Sequence, residues 1–548
     1  MPEQVPTTPG FTRRTAIRTA ATVSGAALLT TGGAVAANAA PARSAATIAD
    51  PASSPDRLSG VPVPPGRIEA AVAALDGIIE DIMRKSTVPG MAVAVVRDGQ
   101  VVHADGYGVK KVGTTAGVDK HTVFQLASVS KPLTGTLVAR EVTLGRVGWH
   151  SRIQRYLPWF QLADPWVSAH LTVADCLSHR SGLGDQSGDD LEDLGWSRTQ
   201  VLRRLRYLPL DEFRASYHYT NWGYTAGGEA VAVAAGTSFE NLARRDLFAP
   251  LGMTSSSFRF ADFISASNRV TPHAWVDGRY QALYQRQPDP QAPAGGASST
   301  VLDLAKWMAM ILADGKLPGH TDHFLSEDAL FPALTPHMPL RPKSALDARV
   351  AAYGHGFNVS DQPSGRVQYS HSGAFVLGTG TAVSLLPSLG LGIVTLTNGA
   401  PLGAAESVNA EFMDLAQFGE QTFDWWTGYH NGLAAIVAPF GSLVGKQPPA
   451  HPAPARAARV YQGTYDNPCY GPITVAQKGS GLVLQAGPRP ISYPLTHWDG
   501  DTYFFRLALE SAAPGSISKV TFGDVRGNKA HSVVVEVWNT ENRGTFRR

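Results

Sequence analysis

The chain has 548 residues, 43% hydrophobic and only 17% charged, enough apolar mass for two or three buried cores and less charge than an average globular protein. Its net charge is +2, with no basic block and no basic–aromatic interleaving, so nothing in it marks a nucleic-acid partner. Cys176 and Cys469 stand far apart and no CxxC, HExxH or clustered His/Cys set occurs, which argues against a structural zinc; no cofactor is expected, and neither is a disulfide.

Thr12-Arg13-Arg14-Thr-Ala-Ile17-Arg18 looks like a twin-arginine export signal. The mildly apolar stretch after it, 19–31, is too short for a mature membrane span, and Ala37-Asn38-Ala39 offers a cleavage site. Residues 1–39 are therefore read as signal peptide, and the Pro-, Ser- and Ala-rich stretch 40–66 as linker. From 67 to 85, Ile68, Val72, Leu75, Ile79, Ile82 and Met83 keep helical spacing. Two β-rich runs, 91–97 and 100–104, flank Asp98-Gly99, which predicts a hairpin with a type I′ turn.

The next stretch, Phe124-Gln-Leu-Ala-Ser128-Val-Ser-Lys131, sets a hydroxyl and an amine three residues apart. If a helix begins near Ser128 the two share one face. A serine needs a nearby base, a lysine becomes one only where its pKa is lowered, and a helix start leaves N–H groups for an oxyanion. The pattern is weak alone: Ser516-Ile-Ser-Lys519 repeats it in an alternating, strand-like run, where the two residues point to opposite faces. Further on, Leu171 to Leu183 reads as a helix capped by Thr172 and closed at Gly182, with His179 and Ser181 structural. Tyr219-Thr-Asn221 precedes a small-residue helix and can aim a phenol and an amide into a cleft, although Tyr-x-Asn recurs at Tyr429 and Tyr465. Ala294-Gly-Gly followed by Ser-Ser-Thr300 reads as a turn and caps ahead of the amphipathic helix 301–312. His371-Ser372-Gly373-Ala374 opens a run of strands through 381–386 and 391–398, with Gly373 permitting close approach of a backbone or ligand. No Gly-x-Ser-x-Gly elbow occurs, which argues against an α/β-hydrolase. The segment 431–457 reads as a second linker, and 458–548 as short strands of a small barrel in which Tyr470, Trp498 and Phe505 fill the core.

Taken in order, Ser128-x-x-Lys131, Tyr219-x-Asn221 and His371-Ser372-Gly373 resemble the three motifs of class C β-lactamases and penicillin-binding serine hydrolases. The flanking Leu-Ser-His-x-Ser-Gly-Leu and Ala-Gly-Gly-x-x-Ser-Thr stretches match as well. The resemblance covers 67–430, and 458–548 resembles the lipocalin-like domain appended to some members. It implies an α+β fold: an antiparallel sheet flanked by helices, with a helical lobe and the site between them. It also implies Ser128 as nucleophile, Lys131 and Tyr219 managing the proton, and Asn221 binding the substrate amide or positioning Lys131. The N–H groups of Ser128 and Ala374 would form the oxyanion hole. His371 stands where many members have lysine, and a histidine near its ordinary pKa titrates near neutrality. That departure resembles DD-peptidases, D-aminopeptidases and esterases more than dedicated β-lactamases. The expectation is an exported or cell-envelope bacterial serine hydrolase acting on a peptide or small-molecule substrate. The alternatives are a β-lactamase, a penicillin-binding sensor that acylates and stalls, and an acyl transferase or peptide cyclase.

Overall fold

Asp98 and Gly99 both take positive φ, 48° and 78°, the left-handed pair that a type I′ turn demands. In the computed structural model, which describes residues 57–548, they join β1 (Gly90–Arg97) to β2 (Gln100–Gly108). The expected export signal and the first part of the expected linker, 1–56, lie outside the described residues. Ahead of the hairpin, α1 (Arg67–Ser86) turns Ile68, Leu75, Ile79 and Ile82 inward.

The hairpin belongs to an eight-stranded sheet. Its other members are β3 (Met338–Pro339), β4 (Ala352–Tyr353), β5 (Asn358–Asp361), β6 (Val367–Phe375), β7 (Thr379–Leu386) and β8 (Leu391–Thr397). The order is β2-β1-β8-β7-β6-β5-β4-β3, every neighbouring pair antiparallel. Strands β7 and β8 are buried along their whole length, so they read as continuous apolar runs rather than alternating ones. One face packs on α1 and α5 (Ala404–Phe418), with Ile79, Val93 and Phe412 in a single cluster. The other face meets α4 (Val301–Leu312) and, beyond it, α2 (Ser130–Thr143) and α3 (Asn221–Ala234) of the helical lobe.

Two local expectations are corrected. Thr172 and Asp175 form the capping box of the helix Val173–Leu177, but that helix stops at Leu177, not at Gly182. His179 takes φ 57° and its Nδ1 accepts the Thr220 N–H at 3.2 Å, a tertiary bond that overrides the local pattern. The segment expected to be linker from 431 begins as packed structure. Leu433, which ends α6 (Trp425–Leu433), and Ile436 and Leu443 beyond it are buried, and only 445–457 is exposed throughout.

Past that stretch, eight short strands run in sequential antiparallel order: β9 (Gly463–Tyr465), β10 (Ile473–Lys478), β11 (Gly481–Ala486), β12 (Ile491–Asp499), β13 (Thr502–Leu507), β14 (Ser516–Arg526), β15 (Lys529–Val535) and β16 (Thr545–Arg547). A bridge between Asp466 and Arg547 nearly closes them into a barrel. Phe505 lies in its core and Trp498 is half-buried. Tyr470 is buried, but its hydroxyl donates to Asp190 Oδ2 of the helical lobe at 2.6 Å, so it joins the two domains. Both cysteines are buried and unpaired.

Candidate active site

Ser128 sits in a single 3₁₀ turn, Ala127–Val129, that feeds α2. Ala127 is held at φ 47°, a left-handed conformation costing a non-glycine residue about 1–3 kcal/mol and found where the surroundings fix a functional geometry. The turn brings Ser128 Oγ to 3.1 Å from Lys131 Nζ. Lys131 is fully buried, and Nζ also donates to Asn221 Oδ1 at 2.8 Å and to the Ala294 carbonyl at 2.9 Å. Burial lowers its pKa to about 7, with Asp189 acting in the opposite direction. The Ala294-Gly-Gly stretch, expected to be support alone, thus supplies one of the lysine's three partners.

Thr220 caps α3 by accepting from Gly223 N, which places Tyr219 just before the helix and Asn221 at its first position. The Tyr219 ring lies 4.5 Å beneath Lys131 Nζ, and Ser128 is near enough to its phenol to work against the effect of burial. Burial raises the phenol's pKa, so the hydroxyl keeps its proton at neutral pH. Asn221 Nδ2 donates to Asp189 Oδ2 at 3.0 Å, which fixes the amide with its oxygen toward Lys131. His179 packs against Tyr219 with ring centres 4.4 Å apart and the planes tilted by 37°.

His371 departs from expectation. Its side chain is buried, and burial, with the nearby Lys131 charge, lowers its pKa to about 3, so it does not titrate near neutrality. A carbonyl only accepts, so Nδ1 donates to Ser372 O at 2.7 Å, and Nε2 accepts the Tyr353 hydroxyl at 2.8 Å. The imidazole pins β6 to β4 and does not line the cleft in front of Ser128, whereas Ser372 and Ala374 do. A Cβ on Gly373 would lie 2.2 Å from both Leu126 O and Thr381 Oγ1, and 3.1 Å from Ser128 N. The third motif is therefore pressed against the first so closely that only glycine fits.

The cleft is narrow, with a cavity volume of about 100 Å³. Besides Ser128, Tyr219, Asn221, Ser372 and Ala374, its wall includes Asp189, Arg286 and Glu406, the apolar Leu433 and Ile436, and Glu510 and Ser511 from the barrel. None of these additional residues carries a motif in the sequence. Asp189 lies in an acidic run, Arg286 on a loop, Glu406 in the first turn of α5 and Glu510 in a barrel turn. Among the described residues no group of three or more His, Cys, Asp or Glu side chains is arranged to hold a metal ion, and no helix is long and apolar enough to cross a membrane.

This fold has known counterparts. The beta-lactamase family model matches residues 75–418, and a domain of unknown function (DUF3471) matches 447–544. The chain belongs to the beta-lactamase family and is a serine hydrolase of it. It is 30% identical over 328 residues to penicillin-binding protein 4 of Amycolatopsis lactamdurans, covering 57% of this chain and 81% of that one. It is 24% identical over 457 residues to the unguisins hydrolase ungD' of Aspergillus campestris, covering 79% of this chain and 83% of that one. The octameric penicillin-binding protein homologue from Pyrococcus abyssi superposes with a TM-score of 0.57 at 19% identity, over 87% of this chain and 100% of that one, a likeness of fold.

Proposed function

We propose that this hydrolase cleaves peptide or ester bonds through an acyl intermediate on Ser128. The surroundings of the Lys131 amine carry the proposal. A neutral amine has two N–H bonds and one lone pair. Asn221 Oδ1 and the Ala294 carbonyl only accept, so they take the two N–H bonds. The lone pair is left for the third partner, the Ser128 hydroxyl at 3.1 Å. With a pKa of about 7, a useful fraction of Lys131 is neutral at physiological pH.

Ser128 Oγ then attacks the substrate carbonyl and its proton passes to Lys131. The N–H groups of Ser128 and Ala374 hold the oxyanion, a donor of that kind being worth about 2.7–4 kcal/mol. Lys131 returns the proton to the leaving amine or alkoxide through the Tyr219 hydroxyl, and water repeats the sequence on the acyl-enzyme. Asn221 positions Lys131, Ser372 offers a hydroxyl to the substrate, and His371 with Gly373 holds the strand in place. The wall offers no lysine at the third motif to grip a β-lactam carboxylate, which favours peptidase or esterase action over a dedicated β-lactamase. The names of the two relatives, an unguisins hydrolase and a penicillin-binding protein, fit that range. Export by the twin-arginine route belongs to the same proposal and rests on Arg13-Arg14 and the small-residue stretch that follows.

Intact-protein mass after brief exposure to a p-nitrophenyl ester, and separately to a penicillin, tests the reading. A transient acyl adduct with ester turnover is expected, and neither in Ser128→Ala. Turnover that survives Ser128→Ala overturns it, and a stable penicillin adduct without ester turnover replaces it with the sensor reading.

A further inference from the structure

A second cavity, of about 690 Å³, opens beside the helix Ile153–Tyr156 and shares no lining residue with the Ser128 cleft. Its floor is a run of three rings. Trp149 and His355 lie 4.5 Å apart, centre to centre, and His355 stacks on His337 at 4.0 Å with the planes 13° apart. The outer two rings are tied down: the Trp149 indole N–H donates to the Ala329 carbonyl at 3.1 Å, and His337 Nε2 donates to the Pro332 carbonyl at 2.8 Å. The middle ring differs. His355 lines the cavity and is only 1% exposed, yet its Nδ1 has no partner among the described residues. A buried ring nitrogen left in that state costs stability until something supplies the missing bond. The ring is also firmly placed. His355 sits on the turn between β4 and β5, and that turn is pressed onto α2: a Cβ on Gly356 would lie 2.6 Å from the Lys131 carbonyl oxygen.

The rim of the cavity is cationic. Arg152, Arg155 and Arg180 line it against one carboxylate, Asp328. Arg152 and Arg155 are exposed, and neither forms an ion pair among the described residues. Arg180 commits only Nε, which donates to Asp175 Oδ1 at 2.8 Å. Arg214 holds the same carboxylate through two nitrogens, so one negative charge is shared between two guanidiniums. Burial lowers the pKa of both His337 and His355, with Arg180 and His150 adding to the effect. A place that resists further positive charge attracts negative charge. Guanidinium groups offer paired N–H donors that match phosphate oxygens, and three of them around one bowl suit a doubly charged group better than a single carboxylate.

We infer that this bowl is a second ligand site, distinct from the hydrolase cleft, and that it takes a phosphate group held by Arg152, Arg155 and Arg180 above the imidazole floor.

Titration calorimetry of the full chain with inorganic phosphate, at constant ionic strength, tests this. One saturable site with a dissociation constant of about 1 mM or tighter is expected, and acetate should bind at least about tenfold more weakly. The double variant Arg152→Ala/Arg155→Ala should weaken phosphate at least about tenfold, with melting curves showing that it is folded. Histidine-selective NMR locates the site: the His337 and His355 signals, assigned through His337→Gln and His355→Gln, should move with the same midpoint as the calorimetry. Absence of saturable phosphate binding, equal affinity for acetate, undiminished binding in the folded double variant, or a titration that leaves both histidine signals in place would each overturn the inference.

Discussion

Ser128 and Lys131 lie on one helical turn and meet at 3.1 Å, whereas Ser516 and Lys519, with the same spacing, lie along β14. On the turn, three residues bring two side chains to one face; on a strand, three residues send them to opposite faces. The surroundings differ as much as the backbone. Lys131 is fully buried with three partners, while Lys519 is half-exposed. Ser516 Oγ is spent on structure, donating to the Ala513 carbonyl and accepting from Phe440 N at 2.8 Å. The pair of copies teaches that the four-residue spacing is chemistry only where a helix aligns it and burial strips the amine of water.

That contrast breaks most sharply at the amine. Lys131→Met should cut hydrolysis by about 10²- to 10⁴-fold, the usual worth of a general base. It should also lower the melting temperature, because Asn221 Oδ1 and the Ala294 carbonyl lose their donor, so activity is compared in the folded variant. Undiminished turnover of an activated ester would show that the amine is not the base. Titration comes next. The ammonium form dominates below about pH 7, so kcat/KM should fall about tenfold per unit below that value and level off above it. Linkage gives stability the same direction: between about 7 and the ordinary lysine value of 10.5 the unfolded chain holds a proton that the folded one lacks, so Lys131 makes stability rise with pH there. A flat rate profile would break the comparison between the two lysines.

Gly373→Ala probes the contact that holds the helical turn in place. Its methyl would lie 2.2 Å from Leu126 O and Thr381 Oγ1, and overpacking of that kind costs about 1–3 kcal/mol. A loss of kcat/KM of about tenfold or more is expected, read beside the melting temperature, because the strand must draw away from Ser128. The smallest effect belongs to the second copy. Ser516→Ala and Lys519→Ala should each leave hydrolysis within about twofold, while Ser516→Ala lowers stability by about 1–3 kcal/mol through the Phe440 N–H it leaves unpaired.

What the sequence makes legible is local. The Asp98-Gly99 turn, the α1 spacing and the meeting of Ser128 with Lys131 follow from backbone periods and turn chemistry over a few residues. The order of strands β6 to β8 follows from β-rich runs split by short turns. Where a distant partner decides, the pattern misleads: the helix after Thr172 ends early because His179 is claimed by Thr220 N, and His371 looks like a titrating substrate contact yet is locked between Tyr353 and its own strand. Asp189, Arg286, Glu406 and Glu510 carry no signal at all, because none belongs to a motif and their meaning comes from four separate elements converging on one cleft.

The convergence of Ser128 and Ser511 on one cleft also fixes when this enzyme becomes itself during its own making. The nucleophile and its amine are translated well before Ser511, so the wall that Ser511 completes must close over a very long loop of sequence. The full wall of the cleft is therefore assembled only after the barrel turn has been made. A molecule whose barrel is nicked or locally unfolded keeps Ser128, Lys131, Tyr219 and Asn221, all in the hydrolase domain, and loses only the part of the cleft wall that Glu510 and Ser511 supply.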